Sequence, residues 1–99
     1  MSSPLVAPEF ASLGPAKHPQ SRLDYVVDWS QFFQDGDSIV NSTFSSTGLI
    51  IPMTMLLGLR AVVWLEGGDD QTIYEVINRV ETSFNRVVVR TFLLEVKRR

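Results

Sequence analysis

The chain has 99 residues, 44% of them hydrophobic and 20% charged, with a formal net charge of -2, one histidine and no cysteine. That length suits one domain with one core, which buries roughly two thirds of the surface the unfolded chain exposes and leaves room for partners to add stability. The absence of cysteine excludes a disulfide framework and thiolate metal sites and suits folding in a reducing cytoplasm. The slight negative charge offers no overall attraction to nucleic acid or to an anionic membrane.

Residues 1–22 carry Pro4, Pro8, Pro15 and Pro19 among small and polar residues, with no helical or alternating period, and read as an extended arm. The opening Met1-Ser2-Ser3-Pro4 lacks a basic segment followed by an apolar run, so no secretory signal is expected. Leu5, Val6, Phe10 and Leu13 are more apolar than a free linker needs. The arm is therefore either a strap lying in a groove of its own domain or of a neighbour, or a loose tail.

Residues 23–99 read as the folded domain. Leu23, Tyr25, Val27 and Trp29 alternate with Asp24, Val26 and Asp28, the pattern of a half-buried strand. Asp35-Gly36-Asp37 supplies a turn, and Ser38–Ser45 follows as a polar, β-branched strand. Leu49-Ile50-Ile51 is expected as a short strand closed by Pro52, and Met53–Leu59 as an apolar connection with a trace of helical character. Arg60–Glu66 is a further strand, ended by the turn Gly67-Gly68-Asp69-Asp70. Thr72–Glu81 and Arg86–Val96 flank Thr82-Ser83-Phe84-Asn85 as a long terminal hairpin, with Tyr74, Val76 and Val80 facing inward with Val88, Phe92, Leu94 and Val96.

This spacing predicts an all-β fold, an antiparallel sandwich of about six or seven strands with an extended N-terminal arm. Gly67-Gly68 leading to Tyr74-Glu75-Val76 resembles the corner of immunoglobulin-like and fibronectin type III domains, in which a tyrosine enters the penultimate strand two residues before a core position. The Tyr74 hydroxyl is then expected to hydrogen-bond backbone near the turn; a plain core tyrosine is the alternative.

Chemistry-bearing constellations are missing. His18 lies in the arm with nothing to hold it beside a carboxylate or hydroxyl, and no other histidine is present to activate Ser38, Ser42, Ser45 or Ser46. Asp35, Asp37, Asp69 and Asp70 sit in turns without the loop length or distal glutamate of a calcium loop. Gly67-Gly68 precedes acidic residues and a strand, not the basic residue and helix of a phosphate loop. The apolar run Leu49–Leu59 is too short to span a bilayer, which takes about 20 residues. Lys97-Arg98-Arg99 reads as a solvated or partner-facing strand end. No enzyme, cofactor or metal is expected.

Contact surface remains. Met53, Met55, Leu56 and Leu57 fall in a segment too apolar for a solvated loop, which either docks on a partner or caps the core. Trp64 points outward if Ala61, Val63 and Leu65 point inward, and into the core in the opposite register. With Leu5, Val6 and Phe10 of the arm, these are the candidate partner-binding residues.

Several blocks in order resemble a family of small phage virion proteins labelled fibre-tail adaptors. They are Leu23-Asp24-Tyr25-Val26-Val27-Asp28-Trp29-Ser30, Asp35-Gly36-Asp37-Ser38-Ile39, Gly48-Leu49-Ile50, Val63-Trp64-Leu65-Glu66-Gly67-Gly68, Tyr74-Glu75-Val76-Ile77-Asn78-Arg79 and Arg90-Thr91-Phe92-Leu93-Leu94-Glu95-Val96. The resemblance runs from about Leu23 to the C-terminus and departs from the usual pattern at Met53–Leu59. It implies a structural protein made in the host cytoplasm and placed in the virion tail, with several copies bridging tail or connector subunits to tail fibres. Partners would be other virion proteins, with no nucleic acid and no membrane. The rival readings are a capsid cement or decoration protein, and a surface- or carbohydrate-binding immunoglobulin-like module, which would cluster Tyr25, Trp29 and Trp64 on its surface.

Overall fold

The structure, a computed structural model of the chain, describes residues 11–12, 16–33 and 36–98; Leu5, Val6, Phe10, Leu13, Asp35 and Arg99 lie outside them. The strands are β1 (Ala11–Ser12), β2 (Arg22–Asp28), β3 (Ile39–Ser45), β4 (Ile50–Leu57), β5 (Arg60–Glu66), β6 (Thr72–Thr82) and β7 (Val87–Val96). No helix occurs among the described residues. One sheet is the antiparallel set β7-β6-β3, which β1 extends in parallel along β7; the other is β2-β5-β4, antiparallel throughout. After the arm, the first long strand pairs with the fourth and the second with the fifth, the Greek-key interleaving of an immunoglobulin-like sandwich.

Alternation places the core. Tyr25 and Val27 of β2, with Trp29 beyond its end, meet Val76 and Val80 of β6 and Phe92, Leu94 and Val96 of β7 in one buried cluster. Leu23, on the same face at the start of β2, is 39% exposed. Ala61, Val63 and Leu65 of β5 are fully buried.

Met53–Leu59 is neither a connection nor helical. β4 runs through Pro52 to Leu57 and turns back into β5 at Gly58-Leu59. The pairing slips between Ile50 and Met53, and this bulge accommodates a proline that cannot donate to a ladder. Pro52 is tolerated because β4 is an edge strand.

One polar bond crosses the core. The Trp29 indole N–H donates to Asn78 Oδ1 at 2.9 Å, and both residues are buried. Asn78 Nδ2 in turn donates to Ser42 Oγ and to the Thr43 carbonyl, each at 3.0 Å, so its amide is satisfied at both ends. Phe33 stacks on the indole and Phe32 meets it edge-on, while the Arg90 guanidinium lies 5.4 Å from the ring centroid.

The corner between β5 and β6 is held by Tyr74, whose hydroxyl accepts the Asp69 N–H at 2.7 Å, as the resemblance to immunoglobulin-like corners implies. Gly48 and Gly68 close around the ring. With φ of +99° and +93°, they adopt the left-handed region, and a Cβ at Gly48 would stand 2.5 Å from Tyr74 Cε1. Lys17 ties the arm to the same corner. Its backbone bridges Val96, and its fully buried ammonium donates to the His18 and Gly67 carbonyls, both at 2.7 Å. Burial pushes the ammonium's pKa down and the charge of Glu66 pulls it back up. Pairing stops at this one residue because Pro19, next on the same strand edge, has no N–H to give.

Asp37 fastens the opposite end. Its buried carboxylate accepts from Ser38 N, Ser83 Oγ and Phe84 N and pairs with Arg86 at 3.1 Å, locking the β6–β7 turn. Burial works to raise the carboxyl's pKa, but the bonds from Ser83, Arg86, Ser38 and Phe84 outweigh it and hold the group below the usual carboxylate value.

Two outcomes follow. Trp29→Phe leaves Asn78 Oδ1 buried without its donor and should cost about 1–3 kcal/mol in urea denaturation. Because the folded-state value of Asp37 lies below the unfolded value of about 3.9, its stabilisation is complete above that pH and is lost as pH falls through the folded value. Asp37→Asn should therefore lower stability at neutral pH and flatten the acid limb of the stability profile, read from melts at stepped pH.

Candidate interaction surface

In the β2-β5-β4 sheet, directly opposed residues share a face, so the register reads out the outer surface row by row. The rows are Arg22–Glu66–Ile50, Asp24–Trp64–Met53, Val26–Val62–Met55 and Asp28–Arg60–Leu57. The β4 column is wholly apolar, and Ile50, Met53, Met55 and Leu57 are all between 43% and 57% exposed. Trp64 lies half-buried between Met53 and Asp24, with Val26 exposed one row on.

Charge lies at both ends of the face and at Asp24 on β2, opposite Trp64. Arg22 pairs with Glu66 at 3.3 Å at one end and Arg60 with Asp28 at 3.7 Å at the other. The whole face, charged margins included, measures about 300 Å² from strand rise and spacing. An apolar centre with a polar rim is the anatomy of a protein contact.

Of the candidate contact residues, Met53, Met55, Leu57 and Trp64 come together on this face. Leu56 does not: it is opposite Ala61, turned inward and packed against the core. Trp64 takes the outward register, because its neighbours Val63 and Leu65 are fully buried on the inner face; Val62, on the outer face, is itself buried under its neighbours at 5% exposure. Leu5, Val6 and Phe10 lie outside the described residues. Val26 and Ile50 belong to the face and were not singled out by sequence; the signal was available in the odd and even positions of β2 once Tyr25 and Val27 are taken as inward.

Elsewhere the side chains offer little chemistry. His18 Nδ1 accepts the Gln20 N–H at 3.0 Å, a local turn contact. A groove of about 290 Å³ beside Tyr74, lined by Ser45, Ser46, Thr47, Ile73, Glu75 and Ile77, pairs no base with a nucleophile. Among the described residues no group of three or more His, Cys, Asp or Glu side chains could hold a metal ion, and no helix is long and apolar enough to cross a membrane. Tyr25 and Trp29 are 8% and 1% exposed, so they form no surface aromatic cluster with Trp64.

The described residues thus form an immunoglobulin-like sandwich with one exposed, largely apolar sheet face. The chain belongs to the family described as Podophage GP4 fiber-tail adaptor protein gp77, whose pattern it matches over residues 17–95. It is thus a phage structural adaptor of the virion tail. The match starts at Lys17, where the arm is fastened to β7, and runs to Glu95 near the end of that strand. No curated protein matches the chain.

The outward and inward residues of β4 should respond oppositely to charge. Met55→Asp should change stability by no more than about 0.5 kcal/mol, whereas Leu56→Asp should cost about 2 kcal/mol or more by placing an unpaired charge against the core. Thermal melts of the two single variants check this.

Proposed function

We propose that several copies of the chain bridge the tail or connector to the tail fibres, with the outer face of β2-β5-β4 as the seat for the fibre protein. The observation that carries this reading is the uncharged row Ile50, Met53, Met55 and Leu57 beside Trp64, exposed on a rigid sheet and bounded by ion pairs. Methionine adapts to irregular apolar surfaces, and tryptophan is enriched among the residues that dominate binding. Family membership supports the setting, since a fibre-tail adaptor must be gripped on more than one side. The second grip is the N-terminal segment carrying Leu5, Val6 and Phe10. The role is mechanical and needs no catalytic step or cofactor, and its partners are other virion proteins, met after synthesis in the host cytoplasm.

Phage grown with a Met53→Ser, Trp64→Ala chain provides the test. Loss of a binding hot spot worth about 2 kcal/mol or more should release fibres from otherwise complete tails, counted by electron microscopy. Tails carrying the variant with a normal complement of fibres would exclude this face as the fibre seat.

A further inference from the structure

The charges of the outer face cancel two by two except at one place. Arg22 reaches both oxygens of Glu66 at 3.3 Å, and Arg60 lies 3.7 Å from Asp28. Asp24, between these ends, is exposed and joins none of the ion pairs of the described residues. Directly across from it on β5 stands Trp64, half-buried, with Met53 on its other side. Opposed side chains on neighbouring strands leave the backbone about 5 Å apart, so the carboxylate and the indole are immediate neighbours.

Three strands make a face about 10 Å wide, the diameter of one helix. A partner segment that settles on Met53 and Trp64 therefore covers Asp24 as well. A carboxylate taken out of water without a counter-charge opposes binding, so the segment must bring a cation of its own. Arg22, the cation two residues back on the same face, cannot supply it without leaving Glu66 as the bare charge instead.

The setting also selects the kind of cation. An ammonium is a compact point charge, whereas a guanidinium is flat and offers its plane to a ring and its edge N–H groups to a carboxylate at once. The chain builds a grouping of this kind within itself. Arg90 lies 5.4 Å from the Trp29 ring centroid, donates to the Asp28 carbonyl at 3.3 Å and sits in the field of the Asp28 carboxylate. At Trp64 the same two partners, tryptophan and aspartate, stand side by side with no cation over the ring among the described residues.

We infer that the partner seated on this face presents an arginine whose guanidinium lies against the Trp64 indole and pairs with the Asp24 carboxylate. The apolar column of β4 supplies contact area, and the arginine sets the register of the partner and discriminates against segments that lack it. The inference rests on the reading of this face as the fibre seat and names what the fibre protein brings to it.

Phage carrying Asp24→Arg as the sole form of the chain provide the test, with fibres per tail counted by electron microscopy. Like charge set against like should cut that number by about tenfold, while the purified variant melts as the wild type does. Second-site revertants selected for restored fibres should carry, in the fibre protein, an arginine changed to aspartate or glutamate. A full complement of fibres on Asp24→Arg tails would overturn the inference, as would restoring changes that replace a lysine or an uncharged residue of the fibre protein or that fall in another virion protein. Comparison with the Met53→Ser, Trp64→Ala phage separates the two readings. Normal fibres on those tails remove the seat itself, whereas fibre loss there together with full fibres on Asp24→Arg tails leaves the seat and removes only the arginine.

Discussion

The hydrogen bond from Trp29 to Asn78 is the constraint on which the arrangement of the two sheets rests. Apolar packing holds the sheets together but tolerates sliding, whereas a buried amide cannot exchange its partner without leaving a polar group unpaired. Asn78 accepts from the end of β2 and donates to β3, so three strands from both sheets meet at one side chain. The register of β6 on β3, where Asn78 lies opposite Phe44, agrees with that meeting. Arg90 and the two phenylalanines around the indole keep water from the bond.

Much of the fold was legible because one-sided strands announce themselves by alternation. Tyr25-Val26-Val27-Asp28-Trp29 places its inner and outer residues correctly, and Arg60–Glu66 matches β5 residue for residue. The tyrosine corner was readable because its parts, two glycines and a tyrosine, have few other uses together. Asn78 was not singled out, although it falls between Val76 and Val80 on a face that alternation makes buried. A polar residue at such a position signals a bonded partner somewhere, but only the fold shows that the partner is a tryptophan from the other sheet.

The exposed apolar face was legible in composition but not in shape. Met53–Leu57 was recognisable as too apolar for a solvated loop, yet Pro52 concealed that it is a strand. A proline ends a central strand and is admissible on an edge, so the local rule pointed the wrong way until the position of β4 in the sheet was known. Leu56 shows the same limit at the level of one residue: a strand divides neighbours between two faces, and a list made without the register mixes them. The 17–95 span of the family match adds Lys17–Arg22 to what alternation alone assigns to the sandwich, and the Lys17 bridge shows why.

The clasp at Lys17 has a mechanical meaning. β1 and the Lys17 bridge run parallel to β7, so tension between an arm held in a particle and the C-terminal end of the domain acts along the strands. Hydrogen bonds loaded in this direction must break together, whereas bonds peeled from one end break singly. The ammonium of Lys17, bound to two carbonyls out of contact with solvent, adds a rivet to the same seam. A domain tied at this point resists unravelling at its N-terminal edge when it is pulled along its strands.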